Sequence, residues 1–350
     1  MRRRFKGVFA AVAVALLATG GILLLVFLTR GSEGGTPGYH SPTVFAMDTM
    51  LDLTIQGRSE KQARRDTEAV VAYARDLEKR TSRFKAGSDV ALINEKAGSS
   101  PVEVHPETLE MIERSVEFSR LTDGAFDITI APVVQLWGFY DQEYRVPTRA
   151  EIDKTLALVD YRKILVDRAA RTVMLEEPGM EIDLGGVAKG YAVAGMYRIL
   201  KEQGVNSAII NFGGSVGAIG VRADGKPWAV GIKDPRGEPG DLIGELRISD
   251  NFVNTSGDYE RYFVRDGVRY CHLIDPRTGL QPRSTMATTI VGPDATDDDI
   301  LSKLFIVGAQ RGLEVLGGLP GYEAVFIDSE GTVIQSDGLR KYVITMKERT

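Results

Sequence analysis

The stretch "TSGDYERYFVRDGVRYCHLIDPRTG", residues 255–279, contains two runs of aromatic and β-branched residues on either side of Asp266-Gly267. An Asp-Gly pair in this setting is a strong signal for a two-residue turn between antiparallel strands. The turn fixes a register in which Arg265 pairs with Val268. The stretch therefore predicts a β-hairpin.

Polar residues are concentrated at the open end of this predicted hairpin. Counting outward from the turn places His272 opposite Arg261, and Asp258 opposite Asp275. Side chains alternate between the faces of a strand, so His272 and Arg261 share one face and the two aspartates share the other. The same residue types are common in turns, which leaves a purely structural interpretation open.

Strand-like segments continue on both sides of the hairpin and are separated by helices. The predicted strands include "VFAMDTMLDLTIQG", both ends of "RTVMLEEPGMEIDL", "SAIINFGGSVGAIG", "WAVGIKDPR", "YEAVFID" and "GTVIQS". One predicted helix begins at a capping box formed by Ser59 and Gln62, and another ends at Gly204. Three more cover about residues 106–124, 149–159 and 296–308, and residues 124–140 form a predicted loop. This order predicts an α+β fold: one large domain at residues 43–350, with a mainly antiparallel or mixed sheet and packed helices.

Residues 1–42 have the pattern of a membrane anchor. Residues 1–7 are basic, and residues 8–29 follow without a charge. About 22 residues form roughly 33 Å of helix, enough to cross a hydrocarbon core. We therefore expect a cytoplasmic segment at 1–7, a transmembrane helix at 8–29, a flexible linker at 30–42 and an extracytoplasmic domain. A cleaved signal segment is the alternative.

The composition limits the possible functions. The 350-residue chain has a net charge of -5 at pH 7, which gives no support for nucleic-acid binding. Its single cysteine, Cys271, excludes an internal disulfide and a Cys-rich metal site.

The stretch "EIDLGGVAKGYA", residues 181–192, carries candidate chemistry. Gly185-Gly186 precedes a predicted helix with Lys189 in its first turn. A helix N-terminus beside glycines favours an anion, and the lysine could reach a phosphate. A tight turn with a solvated lysine is the alternative.

The stretch "PDATDDDILSKLF", residues 293–305, begins a helix with several aspartates, which ordinarily cap a helix. Asp299 and Ser302 are spaced i,i+3, so their oxygens could bind one Mg²⁺ ion. Lys303, at i+4 from Asp299, is the competing partner and would form an ordinary ion pair.

Aromatic residues lie in predicted loops: Phe84, Phe126, Trp137 and Phe139. Such residues most often belong to a hydrophobic core, but loops that carry them could also bind a flat heteroaromatic ring.

Together these stretches resemble the ApbE family of flavinyltransferases. The resemblance is carried, in order, by "SRFKAGSDVALIN", "TDGAFDITIAPVVQLWGF", "IDLGGVAKGYA", "NFGGSVGAIG", "WAVGIKDP", "TSGDYERYF", "HLIDPRTG" and "PDATDDDILSKLFIVG". It implies a Mg²⁺-dependent FAD:protein FMN transferase, which passes FMN to a Ser or Thr hydroxyl of an acceptor protein and releases AMP. The implied acceptor is a membrane-associated electron-transfer subunit, and the implied location is a bacterial cell membrane.

The resemblance also implies residue roles. His272 would be the general base, and an unperturbed imidazole would give a rate that falls below a pH near neutrality. Asp299 and the carbonyl of Ala188 would hold Mg²⁺, with Ser302 as a further oxygen. The residues that would contact FAD are Met47, Thr49, Phe84, Lys189, Ser256, Gly257 and Asp258.

Four residues depart from the family pattern. Lys303 stands where the family has a metal-binding threonine, Asp48 where it has glycine, Phe84 where tyrosine is common, and Ser215 where Asn or Asp is frequent. Two other functions stay open. A Mg²⁺-dependent FAD pyrophosphatase that yields FMN and AMP would share these motifs and use water as the nucleophile, and Lys303 leaves open a non-catalytic, membrane-tethered flavin-binding protein.

Overall fold

The computed structural model describes residues 38–346 of the chain. The predicted basic segment, the transmembrane helix and most of the linker lie outside the described residues. Within residues 38–346, no helix is long and apolar enough to cross a membrane.

Short strands and helices alternate irregularly along the described residues. The strands are β1 (Tyr39–His40), β2 (Val44–Ala46), β3 (Thr49–Ile55), β4 (Val102–Glu103), β5 (Ile164–Asp167), β6 (Thr172–Leu175), β7 (Ala208–Phe212), β8 (Ser215–Ile219), β9 (Trp228–Lys233), β10 (Leu242–Ile248), β11 (Phe252–Gly257), β12 (Tyr262–Arg265), β13 (Val268–Cys271), β14 (Thr285–Gly292), β15 (Glu323–Asp328), β16 (Val333–Gln335) and β17 (Val343–Met346). The α-helices are α1 (Glu60–Thr81), α2 (Asp89–Glu95), α3 (Pro106–Leu121), α4 (Ala131–Leu136), α5 (Arg149–Leu156), α6 (Ala188–Glu202), α7 (Ala295–Leu301) and α8 (Gly308–Gly317). The 3₁₀ helices are Ile128–Ile130, Tyr161–Lys163, Ser302–Ile306 and Asp337–Lys341.

A nine-stranded sheet forms the centre of the domain. Its order is β1-β3-β7-β8-β11-β14-β15-β16, with β2 paired to β3. All of these pairs are antiparallel. Smaller sheets have the orders β17-β10-β9, β4-β6-β5 and β12-β13. The predicted single α+β domain is confirmed, in its antiparallel form.

The central strands are buried on both faces. On β7, Ile210 and Phe212 belong to the larger core, which also contains apolar residues of α1, α3 and α6. Ile209 of the same strand belongs to a second core with Trp228 of β9. Because neighbouring side chains point to opposite faces, one strand contributes to both cores. The helical layer covers one face of the sheet, and the β17-β10-β9 sheet covers the other.

The predicted hairpin forms with the predicted turn. Arg265 pairs with Val268 in the two-stranded sheet of β12 and β13. Asp266 and Gly267 have φ angles of 52° and 73°, the left-handed conformations that a type I′ turn requires. The N–H of His272, just beyond β13, donates to the Arg261 carbonyl at 3.0 Å, so these residues remain neighbours.

The predicted pairing of Asp258 with Asp275 is wrong. The chain leaves the hairpin before that point, because β11 continues to Gly257 as part of the large sheet. The N–H of Asp258 donates to the carbonyl of Met286, whereas Asp275 forms a bridge with Leu280. Long-range pairing of β11 with β14 therefore overrides the local hairpin register.

The predicted strand at residues 181–184 is also wrong. The amide side chain of Asn94 bonds the backbone of Ile182, accepting from its N–H at 2.8 Å and donating to its carbonyl at 3.0 Å. A distant side chain thus takes the place that a neighbouring strand would fill. Nothing in the local residue pattern reveals this partner.

The helix predictions are correct in part. The capping box of Ser59 and Gln62 begins α1, as expected. The loop predicted at residues 124–140 instead contains α4. The helix predicted at residues 296–308 is α7, which tightens into a 3₁₀ helix at Ser302. Gly308, with a φ of 77°, then turns the chain into α8.

Helices α6 and α7 are in close contact at Gly190. A Cβ atom at this position would lie 2.1 Å from the carbonyl oxygen of Ala295 and 2.6 Å from the Cβ of Asp299. Only a residue without a side chain permits this distance between the two backbones.

We expect Gly190→Ala to destabilise the fold by about 1–3 kcal/mol or more, because the added methyl group collides with backbone that cannot rotate away. Urea denaturation of the variant measures the change. Gly317→Ala is the matched control, because no atom lies within 4 Å of its added Cβ. Equal stability of the two variants would contradict the tight contact of α6 with α7.

Candidate active site

The beginning of α6 and the end of α7 meet at a buried carboxylate. Asp299 is 0% exposed, and its Oδ2 accepts a hydrogen bond from the Gly190 N–H at 2.9 Å. The first amides of a helix lack partners within the helix, so Asp299 stabilises the start of α6. Lys189 Nζ lies 3.9 Å from the same oxygen and donates to the Gly185 carbonyl at 2.9 Å. The Gly-Gly turn and Asp299 are therefore parts of one site.

Lys303 occupies the other side of this carboxylate. Its Nζ lies 2.5 Å from Asp299 Oδ1, 2.7 Å from the Asp299 carbonyl oxygen and 3.2 Å from Ser302 Oγ. Burial lowers the pKa of Lys303 to about 8. Burial alone would raise the pKa of Asp299, but the charges of Lys189 and Lys303 outweigh it and lower that pKa. At neutral pH, Asp299 is thus a carboxylate between two ammonium groups.

Ser256 connects the large sheet to this cluster. Its Oγ lies 2.7 Å from Ser302 Oγ, and Ser302 Oγ donates to the Asp299 carbonyl at 2.7 Å. Ser302 uses its proton in that bond, so Ser256 is the donor between the two hydroxyls. The following residue, Gly257, lies against the Tyr259 ring, where an added Cβ would come within 2.5 Å.

His272 lies half-buried just beyond the end of β13. Its Nδ1 is 3.3 Å from the Arg261 carbonyl, and its ring centroid is 6.5 Å from that of Phe139. A carbonyl only accepts, so in this bond Nδ1 carries the proton and Nε2 keeps its lone pair. Nε2 is therefore the basic atom.

The expectation that His272 titrates near neutrality is wrong for the ligand-free protein. Burial, together with the charges of Arg261, Lys189 and Lys303, lowers the pKa of His272 to about 3, against the opposing effect of the hydrogen bond to the Arg261 carbonyl. The imidazole is consequently neutral at physiological pH. The Lys189 and Lys303 ammonium groups therefore lie near enough to the imidazole ring to influence its protonation.

Asp258, a predicted FAD contact, is held by an arginine that the sequence analysis missed. Arg236 donates to both of its oxygens, at 2.8 and 2.6 Å. This bidentate pair fixes the planes of both groups. Arg236 follows β9 in the stretch "WAVGIKDPR", where nothing in the local pattern marks it as a site residue.

Glu260 lies two residues after Asp258 and is half-buried. Burial raises the pKa of its carboxyl group, against the charges of Lys233, Lys189 and Arg261.

Met47 and Asp48 form the turn between β2 and β3. Their φ angles are 48° and 59°, so Asp48 adopts the left-handed conformation that glycine would adopt at lower cost. Asp48 Oδ2 accepts from Arg261 Nη2 at 2.8 Å, which ties this turn to the hairpin that precedes His272. Thr49 lies against Gly213, where an added Cβ would be 2.3 Å from the Thr49 hydroxyl.

Phe84 is 65% exposed and joins the site indirectly. Its ring packs edge-on against Tyr140, with centroids 5.3 Å apart. The Tyr140 hydroxyl donates to Asp183 Oδ2 at 2.6 Å, and the N–H of Gly185 donates to Asp183 Oδ1 at 2.8 Å. An exposed aromatic ring is thereby positioned relative to the Gly-Gly turn. Phe126, Trp137 and Phe139, in contrast, are buried.

The predicted metal donors do not form an open cation site. Both carboxylate oxygens of Asp299 are already bonded, and Ser302 Oγ contacts Ser256, Lys303 and a carbonyl. Ala188 begins α6 beside them. Within the described part of the chain, no group of three or more His, Cys, Asp or Glu side chains could hold a metal ion.

The fold and the site define an α+β enzyme in which a neutral imidazole lies within electrostatic range of clustered ammonium groups, an arrangement suited to a phosphorylated ligand. The sequence model of the ApbE family matches residues 47–326, so the chain belongs to that family.

Two curated relatives are FAD:protein FMN transferases. The protein from Klebsiella pneumoniae (strain 342) is 36% identical over 73% of this chain and 80% of its own length. The protein from Treponema pallidum (strain Nichols) is 30% identical over 91% of this chain and 93% of its own length.

Solved structures agree with the fold. The crystal structure of the ApbE protein from Thermotoga maritima has a TM-score of 0.81 and 34% identity, covering 88% of this chain and 100% of that one. The flavin transferase ApbE from Vibrio cholerae has a TM-score of 0.77 and 24% identity, covering 87% and 100%, which is a likeness of fold.

Proposed function

We propose that this enzyme transfers FMN from FAD to a Ser or Thr hydroxyl of an acceptor protein and releases AMP. The hydroxyl oxygen attacks the phosphorus atom on the FMN side of the pyrophosphate. A new phosphoester bond forms, the P–O bond to the AMP phosphate breaks, and AMP leaves. The hydroxyl proton moves to His272 Nε2. Family membership and the transferase names of the relatives support this reaction.

One observation carries the proposal: a neutral imidazole with a free Nε2 lies within electrostatic range of Lys189 and Lys303. A phosphoryl transfer requires a base positioned for the acceptor hydroxyl and positive charge for the phosphate oxygens. The Lys189 ammonium group is the proposed contact to the phosphates. The further proposed contacts to FAD are Ser256, Gly257, Asp258, Met47, Thr49 and Phe84.

The Mg²⁺ ion that the resemblance implies would neutralise charge on the pyrophosphate. Its proposed donors in this chain are Asp299, the carbonyl of Ala188 and Ser302. The residues present do not fit the ion in that arrangement, because the Lys303 ammonium group already bonds Asp299 and Ser302. No step of the proposed reaction is therefore assigned to the ion.

The transfer is tested by incubating the full-length protein with FAD, MgCl₂ and a candidate electron-transfer subunit, followed by mass spectrometry. We expect the acceptor to gain the mass of one FMN group while AMP appears in equal amount. FMN and AMP without a modified acceptor would identify a pyrophosphatase. Intact FAD that stays bound would identify a flavin-binding protein.

We also propose a location, from the uncharged run at residues 8–29 and its basic flank. The protein is anchored in a bacterial cell membrane with residues 43–350 outside the cytoplasm. A reporter fused after Thr350 is therefore expected to be active outside the cytoplasm and to sediment with membranes. Cytoplasmic reporter activity, or a mature N-terminus near residue 30, would contradict the anchor.

A further inference from the structure

The side chain of Lys303 is enclosed by oxygen atoms. It is 12% exposed, and its partner Asp299 is 0% exposed, which distinguishes this contact from a surface ion pair. An ammonium group has three N–H donors. Three oxygen atoms surround this one: Asp299 Oδ1 at 2.5 Å, the Asp299 carbonyl at 2.7 Å and Ser302 Oγ at 3.2 Å. The protein thus provides a complete oxygen shell for one ammonium group.

The Lys303 ammonium group lies near residues that are proposed to take part in the reaction. An added Cβ on Gly186 would lie 3.7 Å from Lys303 Cε, so the side chain passes along the Gly-Gly turn. Lys189 reaches Asp299 from the opposite side. Lys303 also lies within electrostatic range of His272.

The charges around Asp299 disfavour a further cation. Two ammonium groups flank the one carboxylate of Asp299, and their positive charge disfavours a divalent metal ion at this carboxylate. A metal ion bound by Asp299 Oδ1 and Ser302 Oγ would have to displace the Lys303 ammonium group from both oxygens.

We propose that Lys303 is a built-in cation of this enzyme. Its ammonium group, held by Asp299 and Ser302, stabilises the negative charge that develops on the pyrophosphate, and FMN transfer proceeds without a bound divalent ion. This inference rests on the proposed transferase function. Lys303 then contributes to catalysis through its positive charge, and Asp299 positions the Lys303 side chain.

The first test uses the wild-type, full-length protein with FAD and the acceptor, in excess EDTA or in MgCl₂. In-gel flavin fluorescence and mass spectrometry measure transfer. We expect equal rates in the two buffers. A rate that falls by about tenfold or more in EDTA and returns with MgCl₂ would overturn the inference and leave the transferase function intact. No transfer in either buffer would instead contradict the transferase function.

The second test changes the charge of Lys303. In EDTA, Lys303→Met is expected to transfer FMN about 10²- to 10³-fold more slowly, because one preorganised electrostatic contact is lost. Lys154→Met, at an exposed position on α5, is the matched control and should transfer at the wild-type rate. A Lys303→Met variant that folds, as judged by circular dichroism, and keeps the wild-type rate would overturn the inference.

The third test is independent of catalysis. Mn²⁺ is titrated into the wild type and into Lys303→Thr, and free Mn²⁺ is measured by electron paramagnetic resonance. We expect no stoichiometric binding to the wild type, and one new site in Lys303→Thr, where Asp299 Oδ1 is released. Stoichiometric Mn²⁺ binding by the wild type would overturn the inference, whatever the variants do.

Discussion

His272→Ala is expected to transfer FMN about 10²- to 10⁴-fold more slowly than the wild type while keeping its affinity for FAD, because a positioned base contributes a factor of that size. The free Nε2 of His272 is the basic atom of the site, and the proposed FAD contacts come from other segments. Stopped-flow measurement of flavin transfer and fluorescence titration with FAD separate the two quantities.

The pH dependence of the wild type is part of the same prediction. Since the pKa of His272 in the free enzyme is about 3, kcat/KM should show no acid limb from this residue between about pH 5 and 8. The folded pKa lies below the unfolded value of about 6.5, so protonation favours the unfolded chain. His272 therefore reduces stability as the pH falls from about 6.5 towards 3, and His272→Ala removes that loss.

His40→Ala is the matched control for this variant. His40 lies on β1, away from the hairpin, and its Nδ1 is bonded to Thr54 at 2.9 Å. Its removal should change neither the transfer rate nor the FAD affinity. A His272→Ala protein that folds, binds FAD and transfers FMN at the wild-type rate would show that another group accepts the proton.

Asp299→Ala is expected to lower the free energy of unfolding by about 3–5 kcal/mol, because it leaves buried positive charge without its partner. The Lys303 ammonium group loses its contact with Asp299 Oδ1, and the Gly190 N–H loses its acceptor. Urea denaturation at pH 7 measures the change. Asp153→Ala, which removes an exposed ion pair with Arg149, should cost about 1 kcal/mol or less.

Two further measurements make this prediction specific. The pKa of Asp299 is lowered in the folded protein, so its contribution is present above the unfolded pKa of about 3.9 and is lost as the pH falls through the folded value. The double variant Asp299→Ala/Lys303→Met should be more stable than Asp299→Ala, because both members of the pair are then apolar. An Asp299→Ala protein as stable as Asp153→Ala would contradict the role of this carboxylate.

Local patterns in the sequence predict local structure well. The Asp266-Gly267 turn and the Ser59 capping box depend on neighbouring residues, and both form as expected. The α+β class also follows, because tight turns between strands leave few ways to pair them. Asp258 shows the limit: its partner, Arg236, is fixed by the fold and not by adjacent sequence.

The sequence pattern predicted several residues of the candidate site, but it did not predict how these residues interact. The i,i+4 spacing marks Lys303 as a partner of Asp299, but an ion pair at that spacing is ordinarily solvated and weak. Its significance comes from burial, which depends on how closely α6 approaches α7 at Gly190. The low pKa of His272 likewise comes from burial, together with the charges of Arg261, Lys189 and Lys303, which reach the ring only in the folded chain.

The hairpin of β12 and β13 is a sheet of its own, outside the nine-stranded sheet. His272 follows this hairpin, whereas Lys189 and Asp299 lie on α6 and α7. The proposed base is thus carried by a different structural unit from the lysine proposed to bind the phosphates, so their relative position depends on how the hairpin packs against the rest of the domain.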